Sequence, residues 1–341
     1  MPRSFTQLVF DGVADGPVSV ALDILGAASR VVQARLIDLP ESRLPARTRI
    51  VSIDGAPVRT AAGRLLQVDG AFSLRGMGSS DVLVLPGLGM PTPSEISAAL
   101  ERADIAHATE GVARAAGRGV LVAASCSASF VLAASGVLDG REATTTWWLG
   151  PTFAQRFPRV TLRTDRMVVA SGGVFTAGSA FAHADLMLAI LAQTMSPSLA
   201  HLVARYLVLD ERASQARYMV MEHLRSADPV IRALERFIAS NLHRQLTVAQ
   251  MARATATSPR TLARKLEKAL GTTPLRFVQR LRVAQAVHLI ETTQQSVDEV
   301  AARVGYADAA AFRRIFRRET GEAPRARRAQ RNRPQSNIPW R

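Results

Sequence analysis

A single cysteine, Cys126, in 341 residues excludes intramolecular disulfides and cysteine-rich zinc sites. Long apolar runs are missing too: nothing approaches the ~20 residues of a membrane span. The N-terminus has one early arginine and a short apolar run interrupted by Asp11 and Asp15, which is not a secretory signal. With no lipidation motif either, the expectation is a cytoplasmic protein without a membrane partner. Acid is scarce in one part only. Residues 226–341 hold 22 Arg and Lys against 9 Asp and Glu, a balance of +13, leaving +2 of the total +15 for residues 1–225. A polyanion is therefore expected as partner of the C-terminal part, and nucleic acid fits it best. The length allows two or three domains.

The basic part contains a repeat. At an offset of fifty, Ser258 matches Asp308, Leu262 matches Phe312, Arg264 matches Arg314, Leu266 matches Phe316, Gly271 matches Gly321 and Pro274 matches Pro324. The preceding halves match at forty-nine, with Val248, Met251 and Ala252 on Val297, Val300 and Ala301, so the second copy gains one residue near Gly305. Two copies indicate a duplicated supersecondary unit and not a solenoid.

Each copy reads as helix, turn, helix. Thr247 and Ser296 cap the first helices, and Ser258 with Pro259 opens the second helix of copy one, which Gly271 stops. At 100° per residue, Leu262, Leu266 and Ala269 face one side while Arg260, Thr261, Arg264 and Lys268 face the other. In copy two, after a turn at Gly305-Tyr306, Phe312 and Phe316 pack and Arg313, Arg314, Arg317 and Arg318 point outward. A basic face on a second helix suits the major groove of double-stranded DNA. Between the copies, Pro274 to Glu291 reads as one helix with Phe277, Leu281, Ala284 and His288 recurring at helical spacing. It is a rod of roughly 27 Å, fit to hold two recognition helices near the ~34 Å between successive grooves.

Thr273-Pro274-Leu275-Arg276-Phe277, Leu281-Arg282-Val283, Ala286, Leu289-Ile290, Val300-Ala301, Gly305-Tyr306, Phe312 to Phe316, Gly321 and Pro324 resemble the AraC/XylS regulator signature. The resemblance covers roughly residues 229–329.

Residues 5–195 alternate strand-like and helix-like patterns, which predicts a mainly parallel α/β domain. Strands are expected at Gln7–Phe10, Arg49–Ile53, Val82–Leu85 and Val120–Ala124, with helices at Val18–Ser29, Ser94–Ala116 and Ser129–Ser135. Gly87-x-Gly89 lacks the third glycine and the lysine of a phosphate loop and reads as a turn. No cofactor and no metal is expected. The apolar run before Ser125-Cys126-Ser127 and the small-residue helix after it give the geometry of a nucleophile elbow, where a side chain sits beside a helix N-terminus.

Val82 to Gly87, Ala124-Ser125-Cys126, Gly136 to Gly140, Ala143 to Trp147, Thr176-Ala177-Gly178 and Asp185-Leu186 resemble the PfpI branch of the class I glutamine amidotransferase-like fold. Joined to an AraC-type domain, the whole is similar to the GlxA family of regulators. The resemblance implies a flavodoxin-like amidotransferase-type α/β sandwich followed by an all-α tandem helix-turn-helix domain. It also implies two departures. In PfpI-like enzymes a histidine stands where this chain has Thr146, and a glutamate reaches the cysteine from the first strand-helix turn, which here reads Asp15-Gly16-Pro17. A cysteine without a base is a poor catalyst. His183 is either a substitute or a packing residue.

The expected organisation is a sensor domain with a helical extension at 1–225, a DNA-binding domain at 226–330 with helix-turn-helix units at about 247–270 and 296–319, and a tail. Asp228-Pro229 is expected to start the first DNA-domain helix, with Ile231, Leu234, Ile238 and Leu242 buried. From Ala323 the chain has six arginines and no acid and reads as disordered, residues 331–341 being a basic tail.

The favoured function is a ligand-responsive transcription regulator and not an enzyme, with an effector pocket at Cys126, Ser125, Ser127, Thr146 and Asp15. The resemblance implies an amine or amino-acid effector, a homodimer and contact with RNA polymerase. Two alternatives stay open: a regulator retaining Cys126-dependent amidase or hydrolase chemistry, and an effector-independent DNA-binding protein whose N-terminal domain only dimerises.

Overall fold

The computed structural model describes residues 4–39, 47–89, 91–210, 212, 215, 229–270 and 272–332, apart from the side chains at 268–270, 291 and 329–332. Two compact units, Met1–Gln215 and Ala216–Arg341, divide the chain.

In the first unit, β1 (Ser4–Leu8), α1 (Asp15–Gln33) and β2 (Arg47–Val51) precede a small pair, β3 (Val58–Arg59) and β4 (Leu65–Leu66), and then β5 (Val82–Leu85). Next come α2 (Pro93–Leu100), α3 (Ala103–Gly117), β6 (Leu121–Ser125) and α4 (Ser129–Ala134). They are followed by β7 (Glu142–Ala143), α5 (Gly150–Arg156), β8 (Thr161–Leu162), β9 (Val168–Ser171), β10 (Val174–Ala177), α6 (Ala182–Thr194) and α7 (Pro197–Tyr206). The main sheet runs β2-β1-β5-β6-β10-β9, and only β9 is antiparallel to its neighbour. Counted in chain order, its parallel strands follow the flavodoxin-like order 2-1-3-4-5.

Uncharged runs make this sheet possible, because helices cover both faces. Every residue of Val82–Leu85 is buried. Phe5, Ile24, Phe175, Ile190 and Leu199 form the core on the α1, α6 and α7 side. Leu85, Val112, Phe130 and Phe153 form it on the α3, α4 and α5 side. The helical patterns expected over 94–116 form two helices, parted at Glu101-Arg102, where the Arg102 side chain binds Asp104 and the Asp11 carbonyl.

The second unit is helical: α8 (Pro229–Ala239), α9 (Val248–Ala254), α10 (Pro259–Leu270), α11 (Pro274–Thr292), α12 (Val297–Arg303), α13 (Ala309–Thr320) and α14 (Pro324–Asn332). Thr247 with Gln250 and Ser296 with Glu299 form capping boxes on α9 and α12. One core joins α8, α9 and α10 to Phe277 and Val278, and another joins α12 and α13 to Val283, Ala286, Leu289 and Ile290. Because α11 serves two cores, its buried stripe moves round the helix. Phe277 is buried, but His288 is exposed and Leu281 and Ala284 are only half-buried.

Residues Pro324–Asn332 are also helical, contrary to the disorder expected from Ala323. Buried Pro324 opens the helix, and Arg327 reaches back to Glu322 at 2.7 Å. Asp228, Gly271 and residues 333–341 lie outside the described residues, as do the side chains of Lys268 and Ala269.

The two helix-turn-helix turns solve the same backbone problem differently: Ala256 holds φ +51 where Gly305 holds φ +85. A Cβ at Gly305 would also overlap the Leu242 carbonyl oxygen. The Ala256→Gly variant should gain roughly 0.5–1 kcal/mol, since left-handed backbone costs alanine ~1–2 kcal/mol and glycine's chain entropy takes back part of that. Gly305→Ala should lose more than ~2 kcal/mol. Urea unfolding followed by circular dichroism checks both; equal, small effects would mean that the turns carry no such strain.

Candidate functional site

The second unit presents two recognition helices. On α10, Leu262 and Leu266 face the core while Arg260 and Arg264 are exposed. Thr261 is half-buried, and its hydroxyl and backbone N–H both hydrogen-bond Ser258 Oγ, at 2.9 and 3.1 Å, so it belongs to the helix cap. On α13, Asp308 accepts the Ala310 N–H at 2.7 Å, Phe312 and Phe316 are buried, and Arg314 and Arg317 are exposed.

Arg313 departs from the outward orientation expected of it, whereas Arg318 is exposed and also bonded within the unit. Arg313 is half-buried and pairs with Asp298 of α12 at 2.5 Å. Arg318 donates to Gln279 Oε1 of α11 and to Glu319, each at 2.9 Å. Both therefore tie α13 to its own unit. A period-3.6 wheel separates buried from exposed faces, but it does not show which exposed arginine finds an acid on the next helix.

The first unit gathers its polar groups at the carboxyl edge of the sheet. Strand β6 ends at Ser125, Cys126 takes φ +55, and α4 begins at Ser129. Such a conformation is strained for a residue with a side chain and is concentrated at functional sites. Hydroxyls hold the elbow: Ser129 and Thr145 both donate to the Cys126 carbonyl, at 2.7 and 3.1 Å. Gly87, beyond β5, packs so closely that a Cβ would come within 2.7 Å of the Cys126 Cβ. The Gly87 carbonyl in turn accepts the Ala14 N–H at 2.9 Å, which joins the turns after β1 and β5.

Cys126 is 1% exposed. Burial pushes its pKa up, while the Ser127 N–H, the Thr146 and Ser127 hydroxyls and the Ala180 N–H partly offset this. Thr146 Oγ1 faces the thiol without satisfying hydrogen-bond geometry to it or to any described group. Ser127 Oγ donates to the Leu88 carbonyl at 3.1 Å.

Of the expected pocket residues, the structure brings Ser127 and Thr146 to the sulfur. Ser125 does not line that space: side chains alternate along a strand, and its hydroxyl lies 2.9 Å from His183 Nδ1 on the α6 side. Asp15 is half-exposed at the start of α1 and is not among the groups acting on the thiol. His183 is fully buried, Nε2 has no partner among the described residues, and burial pushes its pKa down to about 3. It is a neutral imidazole tied to Ser125.

Three participants carried no sequence signal. The Ala180 N–H is backbone. Gln215 is 1% exposed, and its amide donates to Thr144 Oγ1 and the Thr145 carbonyl at 3.1 and 3.0 Å. Arg212 pairs with Asp185 at 2.5 Å and donates to the Phe181 carbonyl at 2.8 Å. An open cleft of about 640 Å³ lies at the opposite edge of the sheet, lined by Asp81, Val120, Arg141, Gly172 and Thr194 among others, and is far from the chemistry of the elbow.

A nucleophile-elbow unit on a flavodoxin-like sheet and a duplicated helix-turn-helix unit define the class. Residues 8–193, more than half of the chain, match the DJ-1/PfpI family, and the chain belongs to that family. Residues 251–330 match a helix-turn-helix domain, here of AraC type.

Among similar proteins is the HTH-type transcriptional regulator GlxA of Rhizobium meliloti, 29% identical over 209 residues, which are 60% of this chain and 64% of that one. The HTH-type transcriptional regulators GbdR and CdhR of Pseudomonas aeruginosa are 24% and 28% identical over 308 and 290 residues. Those matches cover 89% and 83% of this chain, and 81% and 82% of theirs. A THiJ/PfpI family protein from Pseudomonas syringae shares the fold, with TM-score 0.50 and 20% identity, over 75% of this chain and 90% of its own.

The buried histidine has a pH signature. With its folded pKa near 3 and an ordinary value of 6.5, the unfolded chain binds the proton first as pH falls. His183 therefore leaves stability untouched above about pH 6.5 and lowers it progressively below, by on the order of 2 kcal/mol at pH 5. Urea titrations of wild type and His183→Gln at pH 7 and pH 5 should differ in pH slope by this amount; identical slopes would show that His183 takes its proton within the fold.

Proposed function

We propose that this chain is a sequence-specific DNA-binding transcription regulator whose DJ-1/PfpI unit binds a small effector and performs no catalysis. The observation that carries this reading is the duplicated, capped helix-turn-helix, which leaves Arg260 and Arg264 exposed on one second helix and Arg314 and Arg317 on the other. A cationic second helix fits the major groove, and two copies fit successive grooves of one duplex. The named regulators among its relatives support the same reading.

Absence of catalysis is supported by the groups around Cys126. They are N–H and hydroxyl donors, and a thiol buried among them is mostly protonated at neutral pH. A base must accept a proton from the nucleophile, whereas His183 is buried, neutral and bonded to Ser125. Donors of this kind suit a bound carbonyl or anion. Effector entry requires a local rearrangement, since Cys126 is enclosed. Assembly as a homodimer and contact with RNA polymerase complete the proposal.

Two measurements test it. On duplexes selected by the full chain from random DNA, Arg264→Ala and Arg314→Ala should each lose ~1–3 kcal/mol and relax sequence preference, while Arg317→Ala weakens selected and random DNA alike. One profile for all three would remove the assignment of base-reading residues. In the sensor, Cys126→Trp should abolish the thermal stabilisation given by an effector found in a metabolite screen, and Cys126→Ser should keep most of it. Turnover of an amide or aldehyde by wild type that is absent in Cys126→Ser would restore the enzyme.

A further inference from the structure

Arg282 lies midway along α11 and is only 6% exposed. Among the described residues its guanidinium meets a carbonyl and a ring, not a carboxylate. Nη2 donates to the Arg244 carbonyl at 2.5 Å, in the loop between α8 and α9, and Cζ lies 5.4 Å from the centre of the Tyr306 ring. Tyr306 belongs to the turn of the second helix-turn-helix. Its neighbour Gly305 leaves no room for a Cβ, which would overlap the Leu242 carbonyl oxygen and come 2.8 Å from Arg282 Nη2. Gln245 closes the ring of contacts by donating to the Gly305 carbonyl at 3.4 Å. One loop of the first helix-turn-helix region and the turn of the second are thus held on a single side chain.

Packing alone does not account for an arginine here. Burying a guanidinium without an acid is unfavourable, and a methionine would fill the space without that cost. What arginine adds is a planar fork that grips a carbonyl with its edge and stacks an aromatic on its face. Both features are used, and they join the loop between α8 and α9 to the turn of the second helix-turn-helix.

We propose that Arg282 is a positioning residue that fixes the two recognition helices at one separation and rotation, so that the protein reads two half-sites in a single phase; this rests on the tandem DNA-binding reading above. Major-groove half-sites recur every 10–10.5 base pairs, so one inserted base pair turns the second site by roughly 35°. A jointed pair of helices would follow that rotation; a braced pair would not.

The brace is measured first without DNA. Spin labels on Arg253→Cys and Arg303→Cys, exposed positions on α9 and α12, report the distance between the units, with Cys126 too buried to react. The distribution should be narrow with Arg282 present and clearly wider in both Arg282→Met and Tyr306→Leu at unchanged helicity. If either variant fails to fold, the other still reports. Unchanged widths overturn the brace. The second measurement uses duplexes selected by the wild-type chain, rebuilt with one or two base pairs inserted between half-sites. One insertion should weaken wild type by about tenfold, the size of one lost base contact, and Arg282→Met by less than about threefold. Equally steep spacer dependence in the variant overturns the proposal. If the wild type selects no duplex, the regulator reading fails instead, and the distance distributions still decide the brace.

Discussion

Helix α11 is the constraint on which the DNA-binding unit depends, because two separate apolar cores close on its two ends. Each helix-turn-helix has two short helices and too little apolar surface to be independently stable. Sharing a 19-residue helix gives each a third wall. The same sharing makes the distance between recognition helices a property of one rigid element. Capping boxes on α9 and α12 satisfy the exposed N–H groups of helices only seven residues long, where every terminal hydrogen bond is a large fraction of the total.

In the DJ-1/PfpI unit the corresponding constraint is the left-handed backbone at Cys126. Neighbouring groups are arranged to keep it: Ser129 and Thr145 on its carbonyl, Gly87 against its Cβ, and a uniformly buried strand β6 end behind it. A site that holds a sulfur under donors while excluding water is well suited to recognition. Proton transfer needs the opposite provision, a base with access to the thiol. Thr146 offers a hydroxyl in that place, and its oxygen has no hydrogen-bond partner among the described residues.

How much of this was legible follows from how local the signals are. Ser258, Thr247, Ser296 and Asp308 announce helix starts through bonds to residues two or three positions on. Leu262, Leu266, Phe312 and Phe316 recur at helical spacing, and each is fully buried. The uncharged strand and the elbow after it are equally local. Contacts that close over long sequence separations left no trace. Gln215 reaches Thr144 across 71 residues, Arg318 reaches Gln279 across 39, and Arg282 reaches Arg244 across 38. Helix α11 faces two cores, so no single period describes it, and the helical spacing of Leu281, Ala284 and His288 does not mark a buried stripe.

Ion pairs within the fold also change what the charge of the C-terminal part means. A balance of +13 over residues 226–341 suggests a broadly cationic face. Yet Arg313 pairs with Asp298, Arg318 with Glu319 and Arg327 with Glu322, and Arg282 is buried inside the fold. Among the described residues, the exposed arginines of the recognition helices are Arg260 and Arg264 on α10 and Arg314, Arg317 and Arg318 on α13, and of these Arg318 also pairs with Glu319. Net charge governs the approach to a polyanion from a distance, and every arginine contributes to it whether paired or not. Discrimination between bases depends only on side chains free to reorient in the groove, so the long-range attraction and the reading of sequence rest on different subsets of the same arginines.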